Sequence, residues 1–189
     1  SFDEDRNDNS EEATIRKGIR LTSQVATIVM AHHNIRNGKE PIDPSDNLNH
    51  AGNFLYMLNG KIPDQDTIDL MDKDFVLHAD HGSNASAFTA RVVAGTSADI
   101  HGAVTAGIAA LSGPSHGGAA ENVMQMAKDI GKPENAENYV KNLLANRERV
   151  MGFGHRVYKA EDPRAGHLRE GVRKLSHQMG EPEWYQILE

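Results

Sequence analysis

Residues 10–38 read SEEATIRKGIRLTSQVATIVMAHHNIRNG, and this stretch decides the fold class. From Ile15, the positions Ile19, Thr22, Ala26, Val29 and His33 recur at steps of three and four, which is the period of a helix face and not of a strand. Ser10 is the expected N-cap, Glu11 and Glu12 supply the negative charge a helix start favours, and Asn37-Gly38 is a stop signal. Working outward, the same punctuation repeats. A second helix is expected over 48–58, ending at Asn59-Gly60. A third follows Pro63, with Asp64 as its N-cap, and carries Ile68, Met71, Phe75 and Leu77 towards His78. Residues 84–94 and 97–111 read as Ala- and Gly-rich helices, whose small side chains favour close packing. Further helices are expected from Gly117-Gly118 to about Gly131-Lys132-Pro133, over 135–148, and from Arg164 to Met179. Strand patterning is nearly absent, so the class is all-α.

Composition narrows the function. The chain has 189 residues and no cysteine, which excludes disulfides, thiolate metal sites and a cysteine nucleophile. Its apolar runs are far shorter than the ~20 residues a membrane-spanning helix needs. No charged-then-apolar signal segment opens it, so a cytoplasmic protein is the expectation. The net charge is −7, and the first twelve residues hold six acids (Asp3, Glu4, Asp5, Asp8, Glu11, Glu12) against one base, Arg6. The remainder is therefore close to neutral, which disfavours a nucleic-acid-binding face. The start at Ser1, inside that acidic run, reads as a cut through a longer protein.

Ten histidines are many for this length. His32, His33, His50, His101, His167 and His177 read as ordinary surface or core residues. Four others stand out: His78 and His81 in His-Ala-Asp-His, His116 in Gly-Pro-Ser-His-Gly-Gly, and His155 in Gly-Phe-Gly-His-Arg-Val-Tyr. Glycine lets backbone approach a ligand and take positive φ. A helix starting just after Gly117 would aim free N–H groups at an anion and oppose protonation of His116. Past His155, Pro163 turns the chain after Asp162, and Arg164 opens a helix with a guanidinium suited to a bidentate grip on a carboxylate. A proton-donating histidine beside such an arginine suits chemistry on a keto acid; the plain alternative is a helix-start surface ion pair. His78 and His81, three residues apart, would share a helix face with Asp80 adjacent, but the spacing matches no specific metal motif, and no metal is expected.

Three ordered motifs carry a family resemblance over nearly the whole chain: Leu77-His78-Ala79-Asp80-His81 followed by Asn84-Ala85-Ser86, Gly113-Pro114-Ser115-His116-Gly117-Gly118-Ala119, and Gly152-Phe153-Gly154-His155 leading to Asp162-Pro163-Arg164. The connecting Asn53-Phe54-Leu55-Tyr56-Met57-Leu58 fits as well. Together they resemble citrate synthase. The resemblance implies an acyltransferase of the tricarboxylic acid cycle, a helical homodimer of large and small domains that condenses acetyl-CoA with oxaloacetate and needs no cofactor. Residues 1–116 would belong to the large domain and 117–189 to the small one. His116 would hydrogen-bond the thioester oxygen of the forming enol(ate), and His155 would protonate the oxaloacetate carbonyl. His81 and Arg164 would bind oxaloacetate, with His78 in support. Val150, Met151, Gly152, Phe153 and Gly154 would lie at the adenine, and Lys159 near a CoA phosphate.

Two positions depart from the family pattern, Gly82 after His81 and Ser115 before His116. The family's catalytic Asp lies beyond the Asp-Pro-Arg motif, and the chain reaches Glu189 first. The expectation is therefore little turnover by these 189 residues alone; Glu181, Glu183 and Glu189 do not match the position of the base and read as a solvated helix end. The alternatives are 2-methylcitrate synthase, which uses propionyl-CoA, and a non-catalytic piece that binds oxaloacetate or self-associates. Apolar faces within 84–130 lead to the expectation of a dimer or larger assembly.

Overall fold

The computed structural model describes residues 2–154 and 158–189. Among the described residues there are nine helices and no strand, as the periodicity implied. The chain forms two compact units, Ser1–Ile108 and Ala109–Glu189. The boundary falls inside a helix, a few residues ahead of Gly113-Pro114. Among the described residues no helix is long and apolar enough to cross a membrane.

In the first unit, α1 (Glu11–Arg36) packs on α2 (His50–Asn59), and α2 on α3 (Gln65–His78). Capping residues set these boundaries. Ser10 accepts from the Ala13 N–H, Asn49 from Gly52 and Asp64 from Thr67, each satisfying one of the orphan donors at a helix start. Gly60 ends α2 at φ +70°, a conformation glycine takes without steric cost. The core of the unit is small: Ala13, Ala26, Met30, Ala51, Met57, Ile68 and Ala103 are buried. Asn34 is buried too, and its Nδ2 donates to the Met57 carbonyl at 2.9 Å, tying α1 to α2. α4 (Ala85–Ala94) and α5 (Ile100–Leu111) complete the unit, with the last residues of α5 passing into the second. They meet closely at Gly107, where an added Cβ would lie 3.2 Å from the Ser86 carbonyl oxygen. The small-residue reading of that segment holds at this point.

One expectation fails at most of its positions. The stripe read along α1 is buried only in part: its Ala26 is buried but Ile15, Ile19 and Val29 are exposed, and Ala13, Lys17, Met30 and Asn34 are buried instead. The reason is the acidic leader, which returns along α1. Asp3 and Asp5 both bond the Arg20 guanidinium, Asp5 also bonds Arg16, and the covered Lys17 donates its Nζ to the Asp8 carbonyl at 2.6 Å. Asn9 reaches the Ser97 carbonyl. The Arg16 guanidinium, then that of Arg20, hold the Asp5 carboxyl well below the usual carboxylate range, and Arg20 lowers Asp3.

In the second unit, α6 (Gly117–Ile130) packs on α7 (Pro133–Ala145), α8 (Pro163–Gln178) on α9 (Pro182–Leu188), and α9 also touches α6 and α7. Ala127 and Ile130 are the buried apolar residues here. Pro133, Pro163 and Pro182 each open a helix, the position where the missing N–H costs nothing. The sequence reading did not separate α9 from the end of α8; Gly180 at φ +74° makes the break.

Candidate functional site

The candidate residues divide between the units. His78 and His81 lie in the first. His78 is the last residue of α3, and its Nδ1 lies 2.8 Å from the Asp74 carbonyl oxygen and 3.3 Å from Asp74 Oδ1. A carbonyl oxygen only accepts, so Nδ1 carries the proton there. His81 lies beyond the helix, in the loop that turns at Gly82 (φ +60°) towards α4. The two imidazoles therefore do not share a helix face as their spacing suggested, because Ala79 caps α3 and Asp80 closes a tight turn by accepting the Gly82 N–H at 2.8 Å. Asn84 then opens α4 by accepting from Ala87. Among the described residues, no group of three or more His, Asp or Glu is placed to hold a metal ion.

The second unit holds His116, Val150 to Gly154, Lys159 and Arg164; His155 lies outside the described residues. His116 is half-buried and takes the N-cap position of α6. The turn before it is tight: the His116 and Gly118 N–H groups both donate to the Gly113 carbonyl, at 3.0 and 3.3 Å. Gly117 is required by close approach, since a Cβ there would lie 2.6 Å from the Leu111 carbonyl oxygen. The helix start is less open to an anion than the sequence implied. The Gly118 N–H is spent on Gly113 and the Ala119 N–H on the His116 carbonyl at 3.0 Å.

Gly152 and Gly154 take φ +87° and +75°, as glycines around a tight histidine turn were expected to do. Phe153 between them is exposed, and its N–H donates to Val150 O. This turn borders a cavity of about 870 Å³, lined further by Lys159, Asp162, α8 and α9. Tyr185 reaches it from α9, donating to Glu189 at 3.1 Å; burial and that carboxylate push its hydroxyl pKa up. Val150 and Met151 precede the turn and are half-buried. Arg164 starts α8 with its guanidinium bonded to Asp162. The sequence offered two roles for Arg164, a grip on a substrate carboxylate and a helix-start ion pair; the structure forms the ion pair, with Asp162 as the partner the sequence reading did not name.

The comparisons with known proteins bear on the whole of this arrangement. A family model described as citrate synthase, C-terminal domain, matches residues 1–189. The chain is 49% identical over 176 residues to citrate synthase 2 of Bacillus subtilis, covering 93% of this chain and 47% of that protein. It is 38% identical over 188 residues to the 2-methylcitrate synthase of Mycobacterium tuberculosis, covering 98% and 48%. Among solved structures it resembles the ternary complex of citrate synthase from Thermoplasma acidophilum with carboxymethyl coenzyme A and oxaloacetate, with a TM-score of 0.81, 32% identity, and coverage of 99% of this chain and 48% of that one. The chain thus spans about half the length of the relatives it matches. It belongs to the citrate synthase family.

Proposed function

We propose that the protein works as a citrate synthase, condensing acetyl-CoA with oxaloacetate and releasing citrate and CoA. The observation that carries the reading is local to the second unit. The Gly152–Gly154 turn, Lys159 and Asp162 line one cavity of about 870 Å³, and Asp162 holds Arg164 behind that lining; the volume is within the usual range for a small-molecule site. In this reading Val150, Met151, Gly152, Phe153 and Gly154 bind the adenine end of CoA, and Lys159 a phosphate. Arg164 and His81 bind the carboxylates of oxaloacetate, with His78 supporting His81. The acetyl methyl loses its proton to the catalytic Asp that the family resemblance implies for the full-length protein, while the His116 imidazole donates to the thioester oxygen and stabilises the enol(ate) where its charge develops. His155 protonates the keto oxygen of oxaloacetate as the new carbon–carbon bond forms. Water then cleaves the citryl thioester. His116 sits at a turn locked by Gly113 and Gly117, which suits a group whose aim matters more than its mobility.

The proposal includes a cytoplasmic homodimer serving the tricarboxylic acid cycle, with residues 1–116 in the larger domain, 117–189 in the smaller one, and no bound cofactor. Exposed Phe88, Val92 and Ile108 support self-association. A second reading is 2-methylcitrate synthase, favoured by the relative of that name. The test is CoA release by the full-length protein with oxaloacetate and either acetyl-CoA or propionyl-CoA. A higher kcat/KM for acetyl-CoA supports the first reading, a preference for propionyl-CoA the second, and no oxaloacetate-dependent release with either refutes both.

A further inference from the structure

Asp162 performs two tasks at once. Its Oδ1 accepts the backbone N–H of Arg164 at 2.9 Å, which starts α8. The same carboxylate grips the Arg164 side chain: Nε donates to Oδ1 and Oδ2 at 3.1 Å each, and Nη2 to Oδ2 at 2.6 Å. The side chains are 31% and 23% exposed, so the pair is partly shielded from water. Pro163 stands between them with φ fixed by its ring. The capping side chains of Asp64 and Asn84 reach three residues ahead, to Thr67 and Ala87, and Asp99 reaches both two and three, to His101 and Gly102. Asp162 reaches only two, which leaves its oxygens on the guanidinium. Capping needs one oxygen; the bidentate grip fixes the plane of the fork as well.

We propose that Asp162 is a positioning residue that sets the guanidinium of Arg164 in the orientation a dicarboxylate substrate meets. This rests on the reading of Arg164 as an oxaloacetate-binding residue. The grip uses the Nε–Nη2 edge and so fixes the plane in which the guanidinium lies. Holding the long side chain in place before binding removes an ordering cost from the binding step.

The test separates capping from positioning. Asn and Ser cap helices as well as Asp does, so Asp162→Asn and Asp162→Ser keep the start of α8 and remove the charged grip. In the full-length protein both variants are expected to raise the KM for oxaloacetate about tenfold, with the melting temperature unchanged. In an Arg164→Gln background Asp162→Asn should add nothing, since the pair acts as one unit. A lower oxaloacetate KM in Asp162→Asn would mean that Asp162 blocks Arg164, and overturns the proposal. So does a raised KM in Arg164→Gln with none in Asp162→Asn, which leaves the reading of Arg164 standing. An unchanged KM in Arg164→Gln overturns both. A second measurement needs no variant activity: the Arg164 Nε–H proton resonance of the 189-residue chain should exchange slowly with water. Its exchange at the rate of exposed arginines also overturns the proposal.

Discussion

Replacing Gly117 with alanine tests how the His116 turn is built. The new Cβ would lie 2.6 Å from the Leu111 carbonyl oxygen, and contacts under 3.0 Å are essentially never made by real Cβ atoms. The obstacle is backbone on both sides, so either the 111–117 turn or the first turn of α6 must move by about 0.4 Å or more. Overpacking of this kind costs about 1–3 kcal/mol. Alanine in a helix recovers about 0.5–1 kcal/mol relative to glycine. The net is a loss of up to roughly 2.5 kcal/mol, or up to about 10 °C in Tm at this chain length. The control is Gly166→Ala in α8, where nothing lies within 4 Å of the new Cβ; it should gain about 0.5–1 kcal/mol. Urea and thermal melts of the three chains, read by circular dichroism, decide the matter. If Gly117→Ala melts at or above the unsubstituted chain while Gly166→Ala gains, the close-approach argument is wrong.

Other expectations follow from the same contacts. Asn34→Ala removes the buried bond to the Met57 carbonyl and should cost about 1–3 kcal/mol in urea unfolding; a change under about 0.5 kcal/mol would contradict its role in joining α1 to α2. Asp3 and Asp5 have folded pKa values depressed by Arg20 and Arg16, so their contribution is complete above the unfolded carboxylate pKa of about 3.9 and is lost as pH falls through the lower folded values. Amide exchange of residues 3–10 should therefore be independent of carboxylate titration from pH 7 to about 4 and rise below that. Release of the leader centred above about pH 5 would refute the assignment. The exposed Phe88, Val92 and Ile108 lead to an expected dimer or larger species in sedimentation; a clean monomer would argue against it.

Helix starts were legible wherever one side chain closes a local bond. Ser10 and Asp64 cap the helices they were expected to cap, because an N-cap needs only the next three residues. The helices read over 97–111 and 135–148 began or ended some residues off, at Ile100–Leu111 and Pro133–Ala145. Asp99 caps the first of these by accepting from His101 and Gly102, and Pro133 opens the second. What the sequence hid was non-local. The buried side of α1 is set by the leader folding back at Lys17 and by α2 at Asn34, and a fully buried Lys17 is legible only once the Asp8 carbonyl is known to lie beside it. At the site, the positive-φ glycines beside His155 were readable from Gly-His spacing, while α6 starts at Gly117 with His116 as its N-cap, slightly ahead of the start expected after Gly117. The departure of His81 from the helix of His78 was not, since it depends on the Asp80–Gly82 turn. A helix-start ion pair was one of the two readings of Arg164, but its partner Asp162, across one proline, was read only as part of a turn.

The most direct test of the central account is the kcat for CoA release by full-length protein carrying His116→Ala, at saturating acetyl-CoA and oxaloacetate. If the His116 imidazole stabilises the enol(ate), kcat falls about 100- to 1,000-fold with little change in the KM for oxaloacetate. A kcat within about tenfold of the unsubstituted protein would contradict that role and the condensation site built around it.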